Sequence, residues 1–128
     1  MNTFTLKAIF MSLLPFYRAD FPIEDFPIAL AYVEYKQGHQ VGKKSLVEEE
    51  RSALKEFFIK NGNGWRYDVA TYAYGRLFTS PAMQINCLHD GSVVVNYAAK
   101  GEGWVQISKK DLQGSCPAIV PAAAAPMK

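Results

Sequence analysis

The sequence predicts an α+β fold in which two to three N-terminal helices pack on a three- to four-stranded antiparallel sheet. Two observations lead there. Apolar residues in the first sixty positions recur at three- and four-residue spacing, as on one face of a helix. From Trp65 onward, runs rich in Tyr, Val and Thr are interrupted by Gly, Pro and Asp, which is the pattern of strands and turns.

The first helix is expected around Leu6, Ile9, Phe10, Leu13 and Leu14, limited by Pro15. Lys7 before this apolar run loosely mimics a secretion signal, but Tyr17 and Arg18 stand where small residues belong before a cut. A folded helix is the better reading and favours the cytoplasm; the periplasm follows if the segment is a signal. A second helix is expected through Ile23, Phe26, Pro27, Leu30 and Val33, with Gly38 as its stop.

The third is expected from Leu46 to Lys60. Ser45 is its N-cap, Glu48 completes a capping box, and Val47, Leu54, Phe57 and Phe58 form its apolar stripe. Glu48-Glu49-Glu50 and Lys60 complement the helix dipole at its two ends. Asn61-Gly62-Asn63-Gly64 closes it; a glycine-rich stretch after a helix is a cap, not a phosphate cradle.

Arg66 to Thr79 reads as a strand, with Gly75 a bulge or bend and Ser80-Pro81 its end. Met83 to Leu88 and Ser92 to Ala99 read as a hairpin. A two-residue Asp90-Gly91 loop sets Ile85 opposite Asn96, whereas a three-residue His89-Asp90-Gly91 loop sets Met83, Ile85 and Cys87 opposite Tyr97, Val95 and Val93. The second choice puts apolar residues together and gives Gly91 the left-handed position, so it is preferred. Trp104 to Lys109 continues the sheet after Lys100-Gly101-Glu102-Gly103. Gln84, Asn86, Asn96, Gln106 and Ser108 then share the face opposite the core, with Val94 and Trp104. Residues 1–112 form a single α+β domain, and 113–128 read as an extended, weakly ordered tail.

Composition excludes several functions. A net charge of +2, with short and scattered basic pairs, does not suit a nucleic-acid binder. No apolar run is long enough to cross a bilayer. Two histidines without paired Cys or His spacing make no metal site, and no cofactor motif occurs. Cys87, His89 and Asp90 invite a thiol-nucleophile reading, but Cys87 falls on a core-facing position, so no catalytic residue is assigned and the chain is read as a non-enzyme. Cys87 and Cys116 are compatible with one disulfide or with two free thiols. Asp68, set among Trp65, Tyr67, Tyr72 and Tyr74, either holds a cation or a partner's Arg, or caps a turn or pairs with Arg66 or Arg76.

Tyr72-Ala73-Tyr74, Met83-Gln84-Ile85-Asn86, Val93-Val94-Val95-Asn96-Tyr97 and Trp104-Val105-Gln106-Ile107-Ser108-Lys109 resemble small bacterial immunity proteins of antibacterial toxin systems, such as those of type VI secretion. The resemblance spans about residues 65–110 and involves no shared motif, so no functional residue transfers. It implies one-to-one occlusion of a cognate toxin, without chemistry by the inhibitor. Under this reading the partner-binding residues are Trp65, Tyr72, Tyr74, Asn96 and Trp104, because aromatics supply interface anchors. The alternatives are a phage or accessory protein, either a virion component or an inhibitor of a defence enzyme, and a small ligand-binding domain or thiol enzyme.

Overall fold

A computed structural model of the chain describes residues 18–110 and the backbone of 125–126. Its centre is one antiparallel sheet of nine strands: β1 (Arg18–Ala19), β2 (Ala31–Lys36), β3 (His39–Ser45), β4 (Trp65–Tyr67), β5 (Arg76–Thr79), β6 (Met83–Cys87), β7 (Val93–Ala99), β8 (Gly103–Lys109) and β9 (Ala125–Pro126). They lie in the order β1-β4-β8-β7-β6-β5-β2-β3-β9. Among the described residues there is a single α-helix, α1 (Glu48–Lys60), and one 3-10 turn at Ile23–Asp25.

This overturns the α+β expectation of two to three helices on a three- to four-stranded sheet. The fold is mostly sheet. The expected second helix is instead the 3-10 turn and the β2–β3 hairpin. Pro27 ends the turn, and Tyr32, Val33 and Tyr35 favour extended backbone. Tyr32 and Val33 face opposite sides of the sheet, yet both are buried. A strand covered on both faces loses its polar alternation, and its apolar positions then imitate helical spacing. The hairpin turns on Gln37-Gly38, both with positive φ, at 51° and 79°. That is the type I′ geometry whose twist matches the flanking strands. The expected first helix lies outside the described residues. So does most of the 113–128 segment, of which Ala125–Pro126 pair with Gly42 and Lys43 of β3.

The C-terminal hairpin has the preferred register: Met83, Ile85 and Cys87 face Tyr97, Val95 and Val93. Leu88 N–H donates to Ser92 O at 2.9 Å, and Gly91 takes φ 92°. β8 extends the ladder, with Val95 opposite Ile107 and Asn96 opposite Gln106.

One face of the sheet carries the core. Phe78, Ile85, Val95 and Ile107 from the strands meet Leu54 and Phe58 of α1, together with Phe21, Phe26 and Trp65. Phe21 stacks on Phe58 with ring centroids 4.2 Å apart. Each such fully buried side chain stabilises the fold by about 1.5–3 kcal/mol. The helix begins later than its sequence suggests. Ser45 is held in β3 opposite Ala31, so Val47 becomes the N-cap, and Glu50 Oε1 accepts the Val47 N–H at 2.9 Å. Valine has no acceptor, so only this half of a capping box exists. At the other end Asn61 Nδ2 donates to Phe57 O at 2.9 Å.

Candidate functional site

The second face of the sheet holds a cleft, and its geometry follows from strand parity. Side chains alternate between faces. Because Ile85, Val95 and Ile107 point into the core, Gln84, Asn96 and Gln106 point away from it. The ladders put Gln84 opposite Asn96 and Asn96 opposite Gln106. Three carboxamides therefore stand in a row across β6, β7 and β8, with directly opposed positions about 5 Å apart. One step along, Asn86 lies opposite Val94 and Val94 opposite Ser108. A step the other way, Ala98 lies opposite Trp104.

Residues 68–75 cross this face instead of forming the first part of a strand, as Arg66 to Thr79 had suggested. Asp68 starts the crossing with a turn, its Oδ1 accepting the Ala70 N–H at 2.8 Å. The side chains of the sheet then hold the segment down. Gln106 Nε2 donates to Ala70 O at 2.8 Å. Asn86 is buried; its Nδ2 donates to Ala73 O at 3.0 Å and its Oδ1 accepts the Gly75 N–H at 2.9 Å. A backbone with no neighbouring strand thus satisfies its polar groups on amide side chains. Gly75 makes the close approach possible, since a Cβ there would lie 2.4 Å from Cys87 O.

Asp68 is the anchor of this arrangement. Its Oδ2 accepts hydrogen bonds from the Tyr72 hydroxyl and, at 2.8 Å, from the Ser108 hydroxyl. Partial burial pushes its pKa up, but the bonds from Tyr72, Ala70 N–H and Ser108, with the Lys110 charge, bring it below the ordinary carboxylate value. The same bond raises the Tyr72 pKa to about 12, with desolvation adding to it. Of the roles read from the sequence, Asp68 therefore fills the turn-capping one.

Between the segment and the open part of the face lies a cleft of about 290 Å³. Gln84, Asn86, Val94, Asn96, Gln106 and Leu77 form its floor, and Val69 to Tyr72 with Tyr74 form its wall. Gln84 and Asn96 are half-buried, and among the described residues neither side chain has a hydrogen-bond partner. Among the described residues, no charged side chain lines the cleft.

No protein-family model, curated protein or solved structure matches the chain.

Of the five residues expected to bind a partner, Tyr72, Tyr74 and Asn96 line the cleft. Trp104 stands on the same face two positions before Gln106 and is 57% exposed. Trp65 is different. It shares the parity of Tyr67, which pairs with Ile107 on the core side, and it is fully buried with Nε1 donating to Asn61 O at 2.6 Å. It is a core residue and not a contact residue. Sequence reasoning missed Val69, Ala70 and Thr71 as a wall, because the segment read as strand. The available signal was Asp68 two residues before Ala70, a turn-forming position.

Cys87 is buried and disulfide-bonded, so it offers no thiol for nucleophilic chemistry. The sequence holds one further cysteine, Cys116, outside the described residues. Asp90 caps its own loop by accepting the Ser92 N–H at 2.9 Å. Among the described residues no group of His, Cys, Asp or Glu is placed to hold a metal ion, and no helix is long and apolar enough to cross a membrane.

Proposed function

We propose that the protein is a binding module that recognises a protein partner with the open part of its second sheet face, as an immunity protein occludes a toxin. The observation that carries this reading is a pair of carboxamides, Gln84 and Asn96, without partners among the described residues, on the face where Trp104 stands exposed. A half-buried amide without a partner gains from a ligand that supplies one, and an exposed Trp is a common interface anchor. Tyr74, 49% exposed, flanks the same cleft. The floor is a rigid hydrogen-bonded ladder, so contact residues are pre-positioned and little ordering cost falls on binding. The disulfide at Cys87 favours an oxidising compartment such as the periplasm over the cytoplasm.

The test is affinity purification of the tagged protein from its native cells, followed by mass spectrometry. One stoichiometric protein partner is expected, and Trp104→Ala and Asn96→Ala should each weaken its capture by about tenfold or more while leaving the circular dichroism unchanged. Capture unaffected by either variant would remove this face from the interface. A virion or defence-enzyme partner would favour the accessory-protein reading over the toxin inhibitor.

A further inference from the structure

Three properties of the cleft bear on what can fill it. Among the described residues its lining holds no Asp, Glu, Lys, Arg or His, so an ion entering it would shed water without meeting a counter-charge from them. Its floor holds the carboxamides of Gln84 and Asn96, each with two donors and one acceptor, and none has a partner among the described residues. A purely apolar ligand laid over them would leave these groups stranded. Finally, the backbones of β6, β7 and β8 pair with one another along the floor. An added peptide strand finds no free ladder along the floor, so contacts with the floor come from side chains.

A hydroxyl group is donor and acceptor at one atom, and adjacent hydroxyls on a ring match the donor–acceptor pair of a carboxamide. The exposed ring of Tyr74 at the cleft wall offers apolar surface for the C–H side of such a ring. The volume, about 290 Å³, lies at the lower end for ligand pockets and suits a single ring, not an extended chain.

We propose that the cleft is a binding site for one neutral sugar residue, held by the carboxamides of Gln84 and Asn96 against Tyr74. This site goes beyond the protein-partner reading and does not depend on it. A failed partner capture leaves it standing, and its own failure leaves the capture result intact.

The experiment is a titration of the isotope-labelled full chain by two-dimensional amide NMR. Glucose, galactose and N-acetylglucosamine are the sugar probes, and a capped Gly-Gln-Gly peptide is the competing amide. A saturable shift of the Gln84 and Asn96 side-chain NH2 signals is expected with at least one sugar, at a Kd on the order of 1 mM. Asn96→Ala should weaken that sugar about tenfold. Gln84→Ala supplies the same comparison should Asn96→Ala lose its dispersed spectrum. No saturable shift with any sugar up to about 50 mM, far above that Kd, overturns the proposal. So does a response to the peptide alone, which would make the cleft a pocket for a partner's side chain.

Discussion

Asp68 ties a wall of the cleft to its floor: one carboxylate accepts from Tyr72, Ser108 and its own turn at Ala70. Its pKa lies lower in the folded chain than in the unfolded one. A group of this kind stabilises the fold above its unfolded pKa, and the contribution is lost as pH falls through the folded value. Asp68→Asn removes that titration and keeps the shape. The wild type is expected to exceed this variant by about 1 kcal/mol at pH 7, a modest figure because the site is partly exposed. The gap should close as the pH falls through the lowered folded-state value, where the wild-type carboxyl is protonated as well. Urea denaturation of both proteins across an acid pH series measures it, and a gap independent of pH would show that the charge is irrelevant. At this scale the sequence was legible in part. Asp68 stood out by its aromatic neighbours, and turn-capping was among the roles read for it. The direction of Trp65 was not legible, because composition marks an aromatic as valuable without saying which face it occupies. That depends on β4 pairing with β8 some forty residues away, with Tyr67 opposite Ile107.

At the scale of elements, the two hairpins explain what could be read. In the β6–β7 hairpin, turn chemistry and apolar alternation are both local and agree, so one register survives. The row Gln84, Asn96 and Gln106 followed from it, and half of the candidate site was therefore visible in the sequence. In the β2–β3 hairpin the strand is buried on both faces, and its turn begins with Gln37, a residue that does not advertise a positive φ. This makes the turn improvable. Gln37 sits at φ 51° and Gly38 at φ 79°, and Asn tolerates the left-handed region better than Gln does. Gln37→Asn is expected to stabilise the protein by roughly 0.5 kcal/mol, because the native turn is retained while its strain falls. The thermal midpoint should rise by about 2 °C. An unchanged or lowered midpoint would mean that the turn is held by tertiary contacts and not by its own geometry.

At the scale of the molecule, the sheet order explains why the architecture was not legible. β5 lies beside β2 and β4 beside β8, so the middle of the sheet joins segments far apart in the chain. Propensity and periodicity are local signals and carry no record of such pairings. The last constraint is covalent. Cys87 sits buried at the end of β6, its backbone in contact with the 68–75 crossing at Gly75, and it is disulfide-bonded. Joining the two cysteines of the sequence closes a loop of roughly thirty residues, which removes about 3.6 kcal/mol of conformational freedom from the unfolded chain. Cys116→Ser tests this and leaves Cys87 in place as a small buried hydrophobe. The variant, and the wild type under reductant, should both unfold about 10 °C below the oxidised wild type. Agreement between those two would tie the loss to the cross-link. Melting identical to the oxidised protein would mean that the sheet alone sets the stability.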